Sequence, residues 1–329
     1  VNYKIVYFFV KIKEELSPVV FATLSHPKPG RTMDMYSDLS EHHYLLGSMF
    51  PEANTRELWE AYKLSDDQLA FFEENGYLAN IKLLEHDQID QLNRELAEIM
   101  DPTHPLHHLF YEFHSNESED ANSVLFHSLG HWRITPGFHD ILWNPRFVIP
   151  ASQLLGNRAV RFWHDQLFCK PAHHGGVVAW HQDYSYWTRT TPMQHLTCWV
   201  ALDDASSENG CLQYVPKSHR WDLLDRTSLA GDMEGLERFL TGEQKKQFAN
   251  KVAIEMPRGY ATFHHPLMVH GSYENRSPRS RRAFVLNVFA DGTVSNTDEA
   301  VLTGVPAIAT GNKMQGQFFP LLFDPATIR

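Results

Sequence analysis

Cysteine is scarce in this chain. Cys169, Cys198 and Cys211 are the only three in 329 residues, and they are widely spaced with no C-x-x-C. That gives no support for a disulfide framework or a zinc knuckle, and it suits a reducing compartment. Positive charge is also short. Against 40 acidic residues stand 29 Lys and Arg, for a formal net charge of −11. Nucleic acid and anionic membrane surfaces are therefore poor partners. Long hydrophobic runs are missing too. The apolar run Val6-Tyr7-Phe8-Phe9-Val10 is too short to span a bilayer. Lys11, Lys13, Glu14 and Glu15 follow it without a small-residue cleavage pattern, which predicts a strand or buried arm rather than a leader. Asn116-Glu117-Ser118 and Asn275-Arg276-Ser277 match the glycosylation pattern, and without a leader both are read as chance matches. The expectation is a cytoplasmic protein whose partner is a small molecule, not a membrane or a nucleic acid.

No repeat and no linker divides the sequence, so one domain is expected over 1–329. Within it, 1–60 reads as an irregular N-terminal arm, broken by Pro18, Pro27, Pro29 and Gly30. Residues 64–160 read as a helical cover. Ser65 is a candidate N-cap for a helix from Asp66 to Asn75, with acids in its first turn and Gly76 at its end. Tyr77 to Leu83 reads as a short strand. Ile89, Leu92, Leu96 and Ile99 mark the buried stripe of a second helix, from about His86 to Met100. The polar stretch 101–128 predicts a long loop, either a lid or a plain surface excursion. Asp140 to Leu155 predicts short helical pieces.

From Val160 the texture changes to short strands: Arg161 to Lys170, Val177 to Asp183, Gln194 to Leu202, Cys211 to Val215, Lys251 to Met256, Tyr260 to His264 and Arg281 to Ala290. In the third of these, Leu196, Cys198, Val200 and Leu202 face one way and Thr197, Trp199 and Ala201 the other. Short strands separated by Gly and Pro turns predict a mainly β fold with flanking α-helices. Its core over 160–295 would be a double-stranded β-helix, the jelly roll of cupin-like proteins, followed by a tail over 296–329.

Histidine, by contrast, is plentiful, with 20 residues. Most serve surface and packing. The informative pair is His181-Gln182-Asp183, because residues i and i+2 of a strand point to one face. Two imidazoles and one carboxylate on one face of a metal are the ligand set of a non-haem Fe(II) oxygenase. The dipeptide spacing alone is weak, since a polar edge strand explains it equally well. A third ligand must come from a later strand, and His264, His265 and His270 are the candidates. His270, in Val269-His270-Gly271-Ser272, is the choice. Arg281 then opens the last long strand, whose inward series is Arg281, Ala283, Val285 and Asn287. A guanidinium there can take a carboxylate through two parallel hydrogen bonds. Arg276, Arg279 and Arg282 beside it read as a solvated turn.

These residues together resemble the phytanoyl-CoA dioxygenase family: His181-Gln182-Asp183, Trp199, Glu208-Asn209-Gly210-Cys211-Leu212, Pro216-Lys217-Ser218-His219, His270-Gly271-Ser272 and Arg281. The resemblance is specific between about Gln166 and Ala290. It implies a Fe(II)- and 2-oxoglutarate-dependent dioxygenase that uses O2, hydroxylates a C–H bond and releases succinate and CO2. By resemblance His181, Asp183 and His270 are the iron ligands, Arg281 and Ser272 hold the distal carboxylate of 2-oxoglutarate, Trp199 lines that pocket, and Gln166 stands at a further co-substrate contact. The family's N-terminal basic contact is not placed by it; Arg133 is the one candidate. His264, His265, His173 and His174 are read as turn or loop residues. Tyr184, Tyr186 and Trp187 either line the substrate pocket or pack beneath a lid. Two rivals have the same ligand set. A cupin-like metal-binding or sensing protein without turnover has no use for Arg281 or Ser272, and a zinc hydrolase needs a general base that no H-E-x-x-H supplies.

Overall fold

A computed structural model describes residues 37–118, 120, 123–173 and 175–329. Val6–Val10, His174 and most of the expected N-terminal arm lie outside the described residues. The strands are β1 (Tyr77–Lys82), β2 (Glu112–His114), β3 (Phe126–Leu129), β4 (Val160–Lys170), β5 (Val178–His181), β6 (Thr190–Thr191), β7 (His195–Ala201), β8 (Gln213–Tyr214), β9 (Val252–Ala253), β10 (Tyr260–His264), β11 (His270–Ser272), β12 (Arg281–Ala290), β13 (Val294–Ser295) and β14 (Leu321–Phe323). The helices are α1 (Arg56–Tyr62), α2 (Asp66–Asn75), α3 (His86–Ile99), α4 (Pro136–Asp140), α5 (Pro145–Leu154), α6 (Tyr184–Trp187) and α7 (Gly242–Phe248).

Two antiparallel sheets face each other. The larger runs β1-β10-β7-β12-β4-β3-β2, with β14 added on β4; the smaller runs β5-β11-β8-β9. This is the expected jelly roll, and the alternation in the strands explains its layers. Leu196, Cys198 and Val200 of β7 and Phe284, Leu286 and Val288 of β12 point outward. There they pack with Ile89, Leu92 and Leu96 of α3 and Phe147 and Val148 of α5 in one apolar core. The opposite faces of the same strands point between the sheets, where Trp199, Ala201, Ala283 and Val285 meet Leu212 and Tyr214. Hydrophobic side chains on both faces make β7 and β12 fully buried central strands. The imperfect alternation of β4 has a local cause. The register slips between Asn287 and Val288, opposite His164 and Phe162, so a bulge at Trp163 returns Phe162 to the outer core.

The helix ends behave as their residues require. Ser65 caps α2 in a capping box with Gln68, and Gly76 ends it in the left-handed region at φ 81°. Residues 101–128 depart from the expected uninterrupted loop. They contain β2 and most of β3, and β3 pairs with β4 as part of the main sheet. The pairing partner, not local periodicity, makes this short stretch a strand. The tail is likewise integrated: Val301, Leu302, Val305, Met314 and Phe319 share a core with Trp163 and Trp187. The Asn275 sequon is buried, its amide nitrogen donating to the Lys170 and Arg279 carbonyls, so it offers no acceptor site for a glycan. Among the described residues no helix is long and apolar enough to cross a membrane.

Candidate active site

His270 and His181 are cross-strand partners on β11 and β5, with ring centroids 4.1 Å apart. Each ring is oriented by its own backbone. His181 Nδ1 lies 2.7 Å from the Ala179 carbonyl, and His270 Nδ1 lies 2.9 Å from that of Met268. A carbonyl only accepts, so Nδ1 of both rings carries the proton and Nε2 presents a lone pair. Both Nε2 atoms face one oxygen, Oδ1 of Asp183, at 3.4 Å and 3.6 Å. Burial, then the neighbouring His181, holds the His270 imidazole well below its usual range, hence neutral. Burial works to raise the Asp183 carboxyl. The polar contacts around it outweigh burial and leave the group ionised, well below the carboxylate range.

Two nitrogen lone pairs and a carboxylate oxygen therefore converge with no proton between them, and one ligand atom from each residue lies within 4.8 Å of the others. A cation relieves that repulsion, and the set is the two-histidine, one-carboxylate face suited to Fe(II). The backbone reaches this arrangement by a different route from the one the sequence suggested. β5 stops at His181. Asp183 is helical, at φ −57° and ψ −42°, and is the N-cap position of α6. The grouping of His181 with Asp183 stands; the extended strand through Asp183 does not.

Arg281 lines the same cavity, between the sheets. It is 2 % exposed, and burial pushes its pKa down to about 10, which leaves it charged near neutrality. Its Nη2 donates to the Gly210 carbonyl at 2.9 Å. Nε and Nη1 are buried donors with no partner. An unmatched buried cation with two free donors is costly unless an anion completes it, so a carboxylate fits here. Trp199 supports the guanidinium, which sits 5.4 Å from its ring centre. Gly210 is required where it stands: at φ 78°, an added Cβ would meet the Tyr273 carbonyl oxygen at 2.4 Å. Ser272 and Gln166 also line the cavity. The Gln166 Oε1 lies 3.1 Å from His127 Nε2.

The cavity has a volume of about 250 Å³, near the scale of small-molecule sites. Its mouth is built by loops. Glu117, Arg189 and Arg226 line it from loops, Glu112 from the start of β2, and Val301 and Leu302 from the tail. Tyr186 and Trp187 line the cavity, whereas Tyr184 packs away, its hydroxyl donating to the Thr190 carbonyl at 2.8 Å. Arg133 is not part of it. Its guanidinium bonds Asp38 and the Leu109 carbonyl, on the N-terminal side of the fold. His265 is a turn residue, its Nδ1 accepting from the Leu267 amide, and His173 is a loop residue bonded to the Ser277 and Arg276 carbonyls. His264 differs from its expected role. It is 1 % exposed, and its Nε2 lies 3.0 Å from Asp183 Oδ2.

The sequence profile of the family described as phytanoyl-CoA dioxygenase (PhyH) matches residues 72–283, more than half of the chain. The chain belongs to the phytanoyl-CoA dioxygenase family. It is thus a 2-oxoglutarate-dependent dioxygenase, working with Fe(II), 2-oxoglutarate and O2. A phytanoyl-CoA dioxygenase of Arabidopsis thaliana is 28% identical over 255 residues, covering 68% of this chain and 88% of that protein. The phytanoyl-CoA dioxygenase domain-containing protein 1 of Bos taurus is 27% identical over 276 residues, 71% of this chain and 94% of that one. Solved structures agree on the fold. The non-haem alpha ketoglutarate dependent carbocyclase SnoK from nogalamycin biosynthesis superposes with a TM-score of 0.63 at 19% identity, over 83% of this chain and 99% of its own. EctD from S. alaskensis with 2-oxoglutarate and 5-hydroxyectoine gives 0.60 at 21% identity, over 75% and 86%.

Proposed function

We propose that this family member hydroxylates an unactivated C–H bond of a small-molecule or acyl substrate, releasing succinate and CO2, with His181, Asp183 and His270 as its iron ligands. The observation that carries the ligand assignment is the convergence of two Nε2 lone pairs on Asp183 Oδ1. Iron held there supplies oxygen activation coupled to decarboxylation of 2-oxoglutarate. The protein's part is to bind, orient and exclude water. Arg281 takes the distal carboxylate of 2-oxoglutarate through its unpartnered Nε and Nη1, with Ser272 beside it and Trp199 beneath it. Gln166, on β4 beside the Arg281 strand in the same sheet, is a further contact to the co-substrate. The substrate enters through the loop-built mouth and meets Tyr186 and Trp187. Those contacts fix which C–H bond faces the metal.

A metal-binding protein without turnover leaves the buried charge of Arg281 unexplained. Asp183 bears on the outcome as well. A carboxylate at that position keeps its own place beside the metal and disfavours a second anion there, so oxygen rather than halide is transferred. The test is a substrate panel scored by mass spectrometry under 18O2, in chloride-containing buffer, with Fe(II) and Zn(II) arms. Succinate release with Fe(II) only, and a product that gains one labelled oxygen, is the expected result. Equal turnover with Zn(II), or a halogenated product, would overturn the reading.

A further inference from the structure

We propose that His264, held in one tautomer by Tyr214, is a positioning residue that fixes the Asp183 carboxylate so that only Oδ1 is left for the metal. The inference rests on the iron-ligand reading above. Asp183 has two oxygens with different surroundings. Oδ1 faces the two ligand imidazoles. Oδ2 is turned away from them and is engaged twice: Thr197 Oγ1 donates to it at 2.6 Å, and His264 Nε2 lies 3.0 Å from it. A carboxylate oxygen offers about two acceptor directions, and these two donors fill them.

The proton positions follow from the chain of partners. A carboxylate only accepts, so His264 Nε2 carries a proton. His264 Nδ1, 2.9 Å from the Tyr214 hydroxyl, then accepts from it. Thr262 Oγ1 stands 3.2 Å from the Tyr214 oxygen and gives its own proton to the Leu78 carbonyl, 3.2 Å away. Tyr214 is 0 % exposed, Thr262 0 % and Thr197 3 %, so water does not compete for these bonds.

The topology gives the arrangement its force. His264 on β10 and Thr197 on β7 are directly opposed in the register of the larger sheet. His181 and His270 are directly opposed in the smaller one. Asp183, just past the end of β5, reaches between the sheets. The smaller sheet supplies the imidazole ligands, and a matched pair on the larger sheet sets the angle of the carboxylate. Rotating that carboxylate to chelate through both oxygens, or to leave the metal, breaks two charge-assisted hydrogen bonds at once. Partners that orient a ligand in this way are worth about 10- to 100-fold in metal affinity.

The experiment measures anaerobic Co(II) binding by competition with a chromogenic chelator, together with the Co(II) visible spectrum. It compares the wild-type protein with Asp183→Ala, His264→Phe, His264→Gln, Thr197→Val and Tyr214→Phe, each checked by thermal melting in metal-free form. Expected are a roughly 10- to 100-fold loss of affinity and an altered spectrum for His264→Phe. Recovery in His264→Gln is also expected, since its amide N–H can replace Nε2–H. Thr197→Val should lose affinity as well, and Tyr214→Phe should fall between His264→Phe and the wild type. If His264→Phe melts early, Thr197→Val and Tyr214→Phe carry the same test. Wild-type affinity and spectrum in Thr197→Val and His264→Phe, while Asp183→Ala loses the metal, would overturn this inference and leave the ligand assignment standing. A His264→Gln protein as impaired as His264→Phe would also overturn it. Equal binding by the wild type and Asp183→Ala would overturn both.

Discussion

The two ends of the cavity are built differently. At the deep end every group that would touch iron or 2-oxoglutarate sits on a strand or one turn from it: His181 on β5, His270 and Ser272 on β11, Trp199 on β7, Arg281 on β12. Arg281 is registered against Lys170 of β4, and β7 pairs with the same strand from Ala283 onward. At the mouth, Glu117, Arg189, Arg226 and the tail residues Val301 and Leu302 stand on loops. Arg189 is tied to its surroundings through backbone carbonyls of residues 300 and 301. Strands hold a reacting geometry; loops tolerate change. The deep end therefore has the rigidity that a reacting geometry needs, and the mouth has the freedom to adapt to a substrate.

That contrast can be broken most directly at the metal. His181→Ala or His270→Ala should each abolish tight Fe(II) binding while the fold persists, read by equilibrium dialysis beside a melting curve. Two variants that keep wild-type affinity would remove the deep end's claim to the metal. The next largest effect is expected at Arg281. A hydrogen bond to a charged group is worth about 1.5–3 kcal/mol, so Arg281→Ala should weaken 2-oxoglutarate binding at least about tenfold with iron retained. An unchanged 2-oxoglutarate titration would separate Arg281 from the co-substrate. The smallest effect belongs to the mouth. Residues 101–125, which carry Glu112 and Glu117, should exchange backbone hydrogens more slowly once a true substrate is bound, while β7 and β12 stay as they were. Identical exchange in both states would make this stretch a plain surface excursion rather than a lid.

How much of this could be read from the sequence follows the same division. Arg281 was legible because β12 alternates cleanly: Phe284, Leu286 and Val288 fill the outer core, which leaves Arg281, Ala283, Val285 and Asn287 to the inside. His264 was missed although its strand holds the same kind of signal. Ala261 and Phe263 face the outer core, so Thr262 and His264 must face inward. The adjacent His265 and Pro266 drew His264, at the end of the expected strand, into the turn, and it was set aside as a ligand in favour of His270. Asp183 was grouped with His181 through a strand that ends before it, and α6 was not foreseen because four aromatic-rich residues show no helical period. Val301 and Leu302 gave no signal at all. Their place depends on Trp163 and Trp187, which are remote in sequence.

The order of strands in the larger sheet has a bearing on how the protein comes into being. β4 is made early, yet its partner along its whole length is β12, and β7 is also flanked by β12. β1, the first strand described, waits for β10. A nascent chain emerging from the ribosome thus leaves one edge of β4 and one edge of β7, the latter apolar on both faces, unpaired until residues 281–290 have been synthesised. Pairings between such distant segments form slowly, and unpaired apolar strands are prone to associate with one another. Production in cells will therefore depend more on chaperone capacity and on translation temperature than the stability of the finished fold suggests.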